Sequence, residues 1–321
     1  MAEKQFSIRP MPVGAEVVGL TDGAEADPEV RSALYDAWLS HGILLFHGVD
    51  SIERHLELSR CFGELEIHPY VPARSPVHPL LIDIGGPNRR RAFVYDERDL
   101  RVNRIPWHRD TAYTPDICKG AMLRMIEVPS QLGETRLCDT AMAYDDLPSD
   151  VKTKLVGLEY HATLRNHPVA QIRPGAFWKA ARPASDAEDP AGAHKQPPDE
   201  ADDHGWPPVI QPALLTHPES GRKCIFLSPT YVDHFLGMGR KESQELLEYL
   251  VAHMLQPKYV YQHHWTRNDA IVWDNRRFMH ASGGNLPTDT RYGLRTTLAG
   301  ATRTGRYVDE AADPGAPVMA D

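Results

Sequence analysis

Outside its helical stretches this chain carries short apolar runs, for example at 120–128, 223–227, 259–265, 270–273 and 294–299, separated by Pro, Gly, Asn and Asp. Runs of that length, rich in β-branched and aromatic side chains, read as strands. They do not alternate regularly with helices, which excludes a doubly wound sheet and points to a sandwich or barrel. The fold class expected is therefore mainly β, with the few helices packed on the outside.

Four helices stand out from the strands. Asp27-Pro28-Glu29 supplies a capping carboxylate and a proline at the first helical position. Val30, Leu34, Ala37 and Trp38 then recur at helical spacing until Gly42, and the strand 43–46 follows. A second helix is expected after Ser51 and a third after Ser149. The fourth covers 242–255, with Leu246, Leu247, Leu250, Val251 and Met254 on one face. Residues 173–208 are rich in Pro, Ala and acid and lack apolar periodicity, so they form an irregular insert, a lid or a mobile excursion. The tail 305–321 is polar. The expected organisation is one domain over 1–321.

Lys and Arg number 35 against 44 Asp and Glu, a net charge of −9, and the basic residues form no stripe. Nucleic acid and anionic membrane are therefore not expected partners, and a basic run at 89–91 reads as a solvated loop. No apolar stretch is long enough to span a bilayer and no secretory leader is recognisable, so the expected location is cytoplasmic. A homo-oligomer is left open. Cys61, Cys118, Cys138 and Cys224 are spread without a C-x-x-C pair, which reads as small buried hydrophobes and not as a zinc knuckle or disulfide framework.

The residues that carry chemistry lie in three segments. In Trp107-His108-Arg109-Asp110, strand geometry would put His108 and Asp110 on one face and turn Arg109 away. In "WDNRRFMH", a strand ends at Trp273, a turn follows, and His280 stands beyond the strand end. Two imidazoles and one carboxylate on one triangular face suit a non-haem Fe(II) oxygenase, and zinc accepts the same donors. In the third segment, Arg291, Gly293 and Arg295 share one strand face, the glycine leaving room between two guanidinium groups that can clamp carboxylates.

These segments, with "VGAEVVGLTD", "FGELEIHP", "VPSQLGETRLCDTAMAYDDLP", "THPESGRKCIFLS" and "RYGLRTTLAG", occur in an order that resembles the Fe(II)/2-oxoglutarate-dependent dioxygenases of the taurine dioxygenase and dichlorophenoxyacetate dioxygenase family. The resemblance implies a double-stranded β-helix, a cupin-like jelly roll. It implies iron on His108, Asp110 and His280, and 2-oxoglutarate held by Arg291 and Thr135. It further implies that Arg295 and His68 face the anionic end of a small substrate. Tyr70 and Tyr113 are candidate pocket aromatics. Gly133-Glu134-Thr135 departs from the Gly-Gly-Asp-Thr usual in the family but keeps the threonine.

The implied reaction consumes O₂ and 2-oxoglutarate, releases succinate and CO₂, and hydroxylates a C–H bond of a small organic carboxylate, sulfonate or sulfate ester. Where the attacked carbon bears oxygen, nitrogen or sulfur, the product falls apart. The alternatives are a tailoring oxygenase of the same family, catalysing desaturation or cyclisation, a Zn(II) hydrolase on the same barrel, and a non-enzymatic binding barrel.

Overall fold

The computed structural model of the chain describes residues 6–69, 71–86, 92–95, 99–164, 181–183, 206–300 and 302–309. Tyr70, the basic run 89–91, positions 173–180 and 184–205 of the expected insert, and 310–321 of the expected tail lie outside the described residues.

Helix ends follow the capping chemistry. Helix α1 (Pro28–His41) starts where the Asp27 carboxylate accepts the Glu29 amide at 2.8 Å. It stops at Gly42, whose φ of 74° sends its amide back to the Trp38 carbonyl. The Ser51 hydroxyl accepts the Arg54 amide and opens α2 (Ile52–Arg60). Helix α3 (Thr140–Asp145) was not expected from the sequence; Asp139 caps it by accepting the amides of Ala141 and Met142. Ser149 is the first residue of α4 (Ser149–Leu155) and not its cap. Helix α5 (Arg240–Met254) buries Leu247, Leu250, Val251 and Met254.

Two sheets carry the core. The eight-stranded major sheet contains β1 (Ser7–Pro10), β2 (Ala15–Val18), β3 (Ile43–Phe46), β4 (Leu65–Glu66), β5 (Leu81–Gly85), β7 (Gly120–Glu127), β10 (Ala270–Asp274) and β12 (Tyr292–Leu298). Its order is β1-β2-β3-β10-β7-β12, with β4 and β5 both paired to β12. The four-stranded minor sheet runs β9-β8-β11-β6, from β6 (Ile105–His108), β8 (Thr135–Asp139), β9 (Val260–His263) and β11 (Phe278–Ser282).

Side-chain alternation divides these strands between separate layers. Ile43, Leu45, Ala121, Leu123, Met125, Ile271 and Trp273 of the major sheet meet Leu137 and Phe278 of the minor sheet. The opposite parity of the major sheet, including Leu44, Phe46, Met122, Val272 and Leu298, packs on Leu34 and Trp38 of α1 and Leu58 of α2. On the far side of the minor sheet, Cys138 and Met279 pack with α3 and α5. Strands buried on both faces lose the polar alternation of a surface strand, which is why the sequence shows them as plain apolar runs.

A third sheet joins Val232–Phe235, Glu159–Ala162, Val209–Pro212 and Arg306–Tyr307 in that order. The residues expected to begin a polar tail therefore include a paired strand. Within the expected insert, Ala181–Pro183 forms a strand against Ala92–Tyr95. All four cysteines are buried and unbridged. Among the described residues no helix is long and apolar enough to cross a membrane.

Gly42 couples α1 to the minor sheet, because a methyl group there would run into the Phe278 ring and crowd the Arg277 side chain. Gly42→Ala adds this overlap to a left-handed backbone and should cost about 2–4 kcal/mol. Urea denaturation of the two proteins measures it.

Candidate active site

The sheet register brings the first pair of donors together. His108 is the last residue of β6 and His280 the third of β11, and the two are directly paired across neighbouring antiparallel strands. Their inward parity is that of Leu137, which also pairs with His280, so both imidazoles enter the space between the sheets. The ring centroids are 4.2 Å apart. The sequence reading had His280 beyond a strand end and Asp110 in the strand; the structure reverses this. Asp110 follows the end of β6, and the chain then turns through Thr111 at φ 55°, a strained conformation for a β-branched residue.

Asp110 is held by its backbone as well as by its charge. Asn275 accepts the Asp110 amide at 3.0 Å and donates to the Asp110 carbonyl at 2.9 Å. The Arg109 amide is taken by the Ser228 hydroxyl at 2.9 Å. The Arg109 side chain does turn away from the donors, as expected, but into the protein. It is fully buried and donates five hydrogen bonds: to the carbonyls of Leu227, Asn275, Phe278 and Ile225 and to the Thr140 hydroxyl. Neither Arg109 nor Asn275 was singled out from the sequence. The only signal was indirect, since the residue between two inward donors must face the opposite way.

Hydrogen bonds and burial orient the three donors. His108 Nδ1 donates to the Pro106 carbonyl at 2.7 Å, which turns Nε2 inward. Burial, reinforced by His108, holds the His280 pKa well below the usual imidazole range, so the ring is neutral. Burial alone would raise Asp110, but Arg295 and the two histidines outweigh it and keep the carboxylate ionised. Asp110 Oδ1 lies 3.6 Å from His108 Nε2, and Oδ2 lies 3.7 Å from His280 Nε2. The three side chains form a group able to hold one metal ion, and Asp110 Oδ2 is buried without a hydrogen-bond partner.

The two arginines of the third segment have different surroundings. Arg295 Nη1 donates to Asp110 Oδ1 at 2.7 Å, so the guanidinium expected to face the substrate already holds the carboxylate of the donor cluster. Its Nε is buried with no partner. Arg291, just before β12, is 1% exposed and, among the described residues, hydrogen-bonds no carboxylate. It donates through Nε to the Gly133 carbonyl at 2.8 Å and through Nη2 to the Thr135 hydroxyl at 3.1 Å, while Nη1 has no partner. Burial lowers its pKa to about 10. Thr135 also accepts the Trp265 indole N–H at 3.0 Å, which directs its own hydroxyl hydrogen elsewhere.

The glycines here make room for neighbours. Gly133, at φ 77°, brings its carbonyl to Arg291, and a side chain there would press on Pro129. Gly293 does not separate the guanidinium groups as expected; a methyl at that position would meet Leu123 and the Arg124 carbonyl of β7. The Glu134 that departs from the family pattern is buried, donates no charge to Arg291 by contact, and accepts from Arg136 Nη2 at 2.6 Å.

Tyr113 is buried in the outer core, its ring edge-on to Tyr231 at 5.3 Å and to Trp206 at 5.2 Å. Tyr231 in turn lies edge-on to His108 at 6.4 Å. His68 is buried in the loop after β4, its carbonyl accepting from Arg74 Nε. The remaining candidate, Tyr70, lies outside the described residues.

Residues 7–297 match the family model described as taurine catabolism dioxygenase TauD, TfdA family. The chain belongs to this family. It is 30% identical over 298 residues, 92% of this chain and 95% of the relative, to the (S)-phenoxypropionate/alpha-ketoglutarate-dioxygenase of Sphingobium herbicidovorans. It is 24% identical over 307 residues to the alkylsulfatase of Acinetobacter baylyi, with 92% of this chain and 84% of that one covered. Among solved structures it is similar to a taurine dioxygenase from Burkholderia xenovorans, at TM-score 0.70 and 20% identity, covering 97% of this chain and 96% of that one. The facing sheets are thus the expected jelly-roll core, and the chain is a 2-oxoglutarate-dependent dioxygenase that uses Fe(II) and O₂ on a small molecule. The hydrolase and binding-barrel alternatives fall away.

The turn that carries Asn275 also depends on a buried charge. Asp274 accepts from His217 at 2.9 Å and from Arg276 at 2.7 Å; burial alone would raise its pKa, but these bonds hold it well below the carboxylate range. A carboxylate depressed on folding stabilises the protein above its unfolded pKa of about 3.9 and loses that contribution as pH falls through the folded value. Asp274→Asn should therefore cost about 3–5 kcal/mol at pH 7 and flatten the loss of stability below about pH 4. Urea midpoints at pH 7 and in acid check both. Arg109→Lys offers three donors in place of five. It should lower stability by about 2–5 kcal/mol and Fe(II) affinity by about tenfold or more, read by denaturation and by metal competition.

Proposed function

We propose that His108 Nε2, Asp110 and His280 Nε2 hold the Fe(II), and that Arg291 and Thr135 bind the distal carboxylate of 2-oxoglutarate. The observation that carries this reading is Arg291: a buried guanidinium whose Nη1 has no partner among the described residues and whose hydrogen bonds there go to neutral groups, one of them Thr135 on the strand paired with that of His280. Glu134 acts on this buried cation only from beyond contact, and a carboxylate from the co-substrate supplies a charge in direct contact.

Bound there with 2-oxoglutarate and O₂, Fe(II) would supply the oxidising chemistry by which a substrate hydrogen is replaced by hydroxyl while the oxo-acid becomes succinate and CO₂. The residues of this chain bind, orient and exclude water. Thr135 donates to the same carboxylate as Arg291 and receives Trp265, so its hydroxyl is aimed before the co-substrate arrives. Arg295 stabilises the ionised Asp110 through Nη1, and its Nε and remaining donors serve the anionic group of the primary substrate. Orientation is the main contribution of such a cavity, since a C–H bond must sit close to the oxidant and water must not.

The substrate class we infer is a small organic anion, a carboxylate, sulfonate or sulfate ester, hydroxylated at a carbon near oxygen or sulfur so that the product cleaves. Support comes from Arg295 in the chamber and from the phenoxypropionate and alkyl sulfate named for two relatives. His68, Tyr70 and Tyr113 complete the substrate side in this reading, with Tyr113 acting through Tyr231, whose ring meets His108. The reading treats 1–321 as one catalytic domain.

Anaerobic addition of Fe(II) and 2-oxoglutarate should give a weak visible charge-transfer band, followed by succinate when O₂ is admitted; no band and no succinate would overturn the reading. Arg291→Gln should raise the KM for 2-oxoglutarate about 100-fold, equivalent to about 2.7 kcal/mol. Arg295→Ala should instead raise the KM for an anionic substrate found by screening, and unchanged affinity would remove Arg295 from substrate binding.

A further inference from the structure

A second group of metal donors lies on the third sheet. His161 of Glu159–Ala162 pairs with His234 of Val232–Phe235. The flanking pairs, Tyr160 with Phe235 and Ala162 with Val232, are fully buried in the outer core, so the two histidines face the other way. Between Val232 and His234 the register shifts, and Asp233 is the extra residue of a β-bulge. In a regular strand the residue before His234 would point into the apolar layer. The bulge instead turns Asp233 to the histidine side, as bulges re-aim side chains.

The result is two imidazoles and a carboxylate on one half-exposed face. His234 Nδ1 lies 2.9 Å from Asp233 Oδ2, and His161 Nδ1 lies 4.0 Å from the same oxygen. The rings are stacked, with centroids 5.4 Å apart and planes at 19°. One ligand atom from each residue falls within 4.8 Å of the others. Donors bonded to one ion at about 2.0–2.2 Å stand roughly 3 Å apart, so adjustments of about 1 Å in side-chain torsions bring all three into range.

We propose that His161, Asp233 and His234 form a second metal site, for a divalent transition ion of the zinc or nickel kind. Two imidazole nitrogens favour such ions over calcium or magnesium, which take oxygen ligands. The remaining coordination positions face solvent and take water. A bound ion fastens the edge strand Val232–Phe235 to its neighbour. That strand follows directly on Tyr231, whose ring lies edge-on to His108. The inference does not depend on the assignment of the iron ligands.

Zn(II) alone, titrated into metal-free full-length protein against a chromophoric chelator, tests it. Wild type should take up two equivalents. His108→Ala/His280→Ala should keep one, and adding His161→Gln/His234→Gln should remove it. In the His108→Ala/His280→Ala protein, Zn(II) at 100 times its Kd should raise the melting temperature, and the added pair should abolish the rise. With the iron site intact, His161→Gln/His234→Gln should leave Fe(II)-dependent succinate formation unchanged. Asp233→Asn, which keeps the side-chain volume, should weaken Zn(II) at the second site at least tenfold. One equivalent in wild type, none in His108→Ala/His280→Ala, or uptake unaffected by His161→Gln/His234→Gln, would each overturn the proposal.

Discussion

The site rests on a charge that never touches it. Arg109 stands between His108 and Asp110 and sends its guanidinium into the layer behind the minor sheet, where it draws together the carbonyls of Ile225, Leu227, Asn275 and Phe278 and the hydroxyl of Thr140. These groups come from three segments distant in sequence, and a single planar cation with five fixed donors joins them. It packs over Phe226 and, among the described residues, has no carboxylate in direct contact, so carbonyl dipoles and the Thr140 hydroxyl take up its charge. Because one hydrogen bond ends on Phe278 and another on Asn275, the strand bearing His280 and the clamp on Asp110 share one anchor. The three metal donors meet because the backbones beneath them are tied at that point.

Charge placement on the facing sheet then separates two arginines that the sequence presents as a pair. Arg291, just before β12, and Arg295, within it, share one face by parity, yet Arg295 is neutralised by Asp110 while Arg291, among the described residues, hydrogen-bonds only a carbonyl and a hydroxyl. In a medium of low polarity the second arrangement attracts an anion far more strongly than the first. The same buried face thus stabilises the ionised Asp110 at one end and, in the proposed reading, offers Arg291 to a carboxylate at the other. The covering layers matter here, since both guanidinium groups would be screened if water entered.

Much of this was legible in the residues, and the misses have physical causes. The caps of α1 are local chemistry, read directly from Asp27, Pro28 and Gly42, and inward parity at Arg291, Gly293 and Arg295 follows from a period of two. The family resemblance brought out the three donors, Arg291 and Thr135 because its motifs are sequential. Pairing is long-range, so sequence could not place His280 inside a strand beside His108, nor anticipate that Arg295 would close on Asp110. Helix α3 escaped because its six residues are too few to show a 3.6-residue period. Arg109 and Asn275 escaped because a buried polar residue looks like a surface one until its partners, most of them more than 100 positions away, are known.

The central claim is that one ion binds all three donors while Arg291 receives the far end of the co-substrate. An anaerobic crystal structure of the complete chain with Fe(II) and 2-oxoglutarate tests this most directly. The account expects iron within bonding distance of His108 Nε2, an Asp110 oxygen and His280 Nε2, and a carboxylate seated on Arg291 Nη1 and the Thr135 hydroxyl. Iron bound without His280, or a co-substrate carboxylate lying away from Arg291, would contradict it.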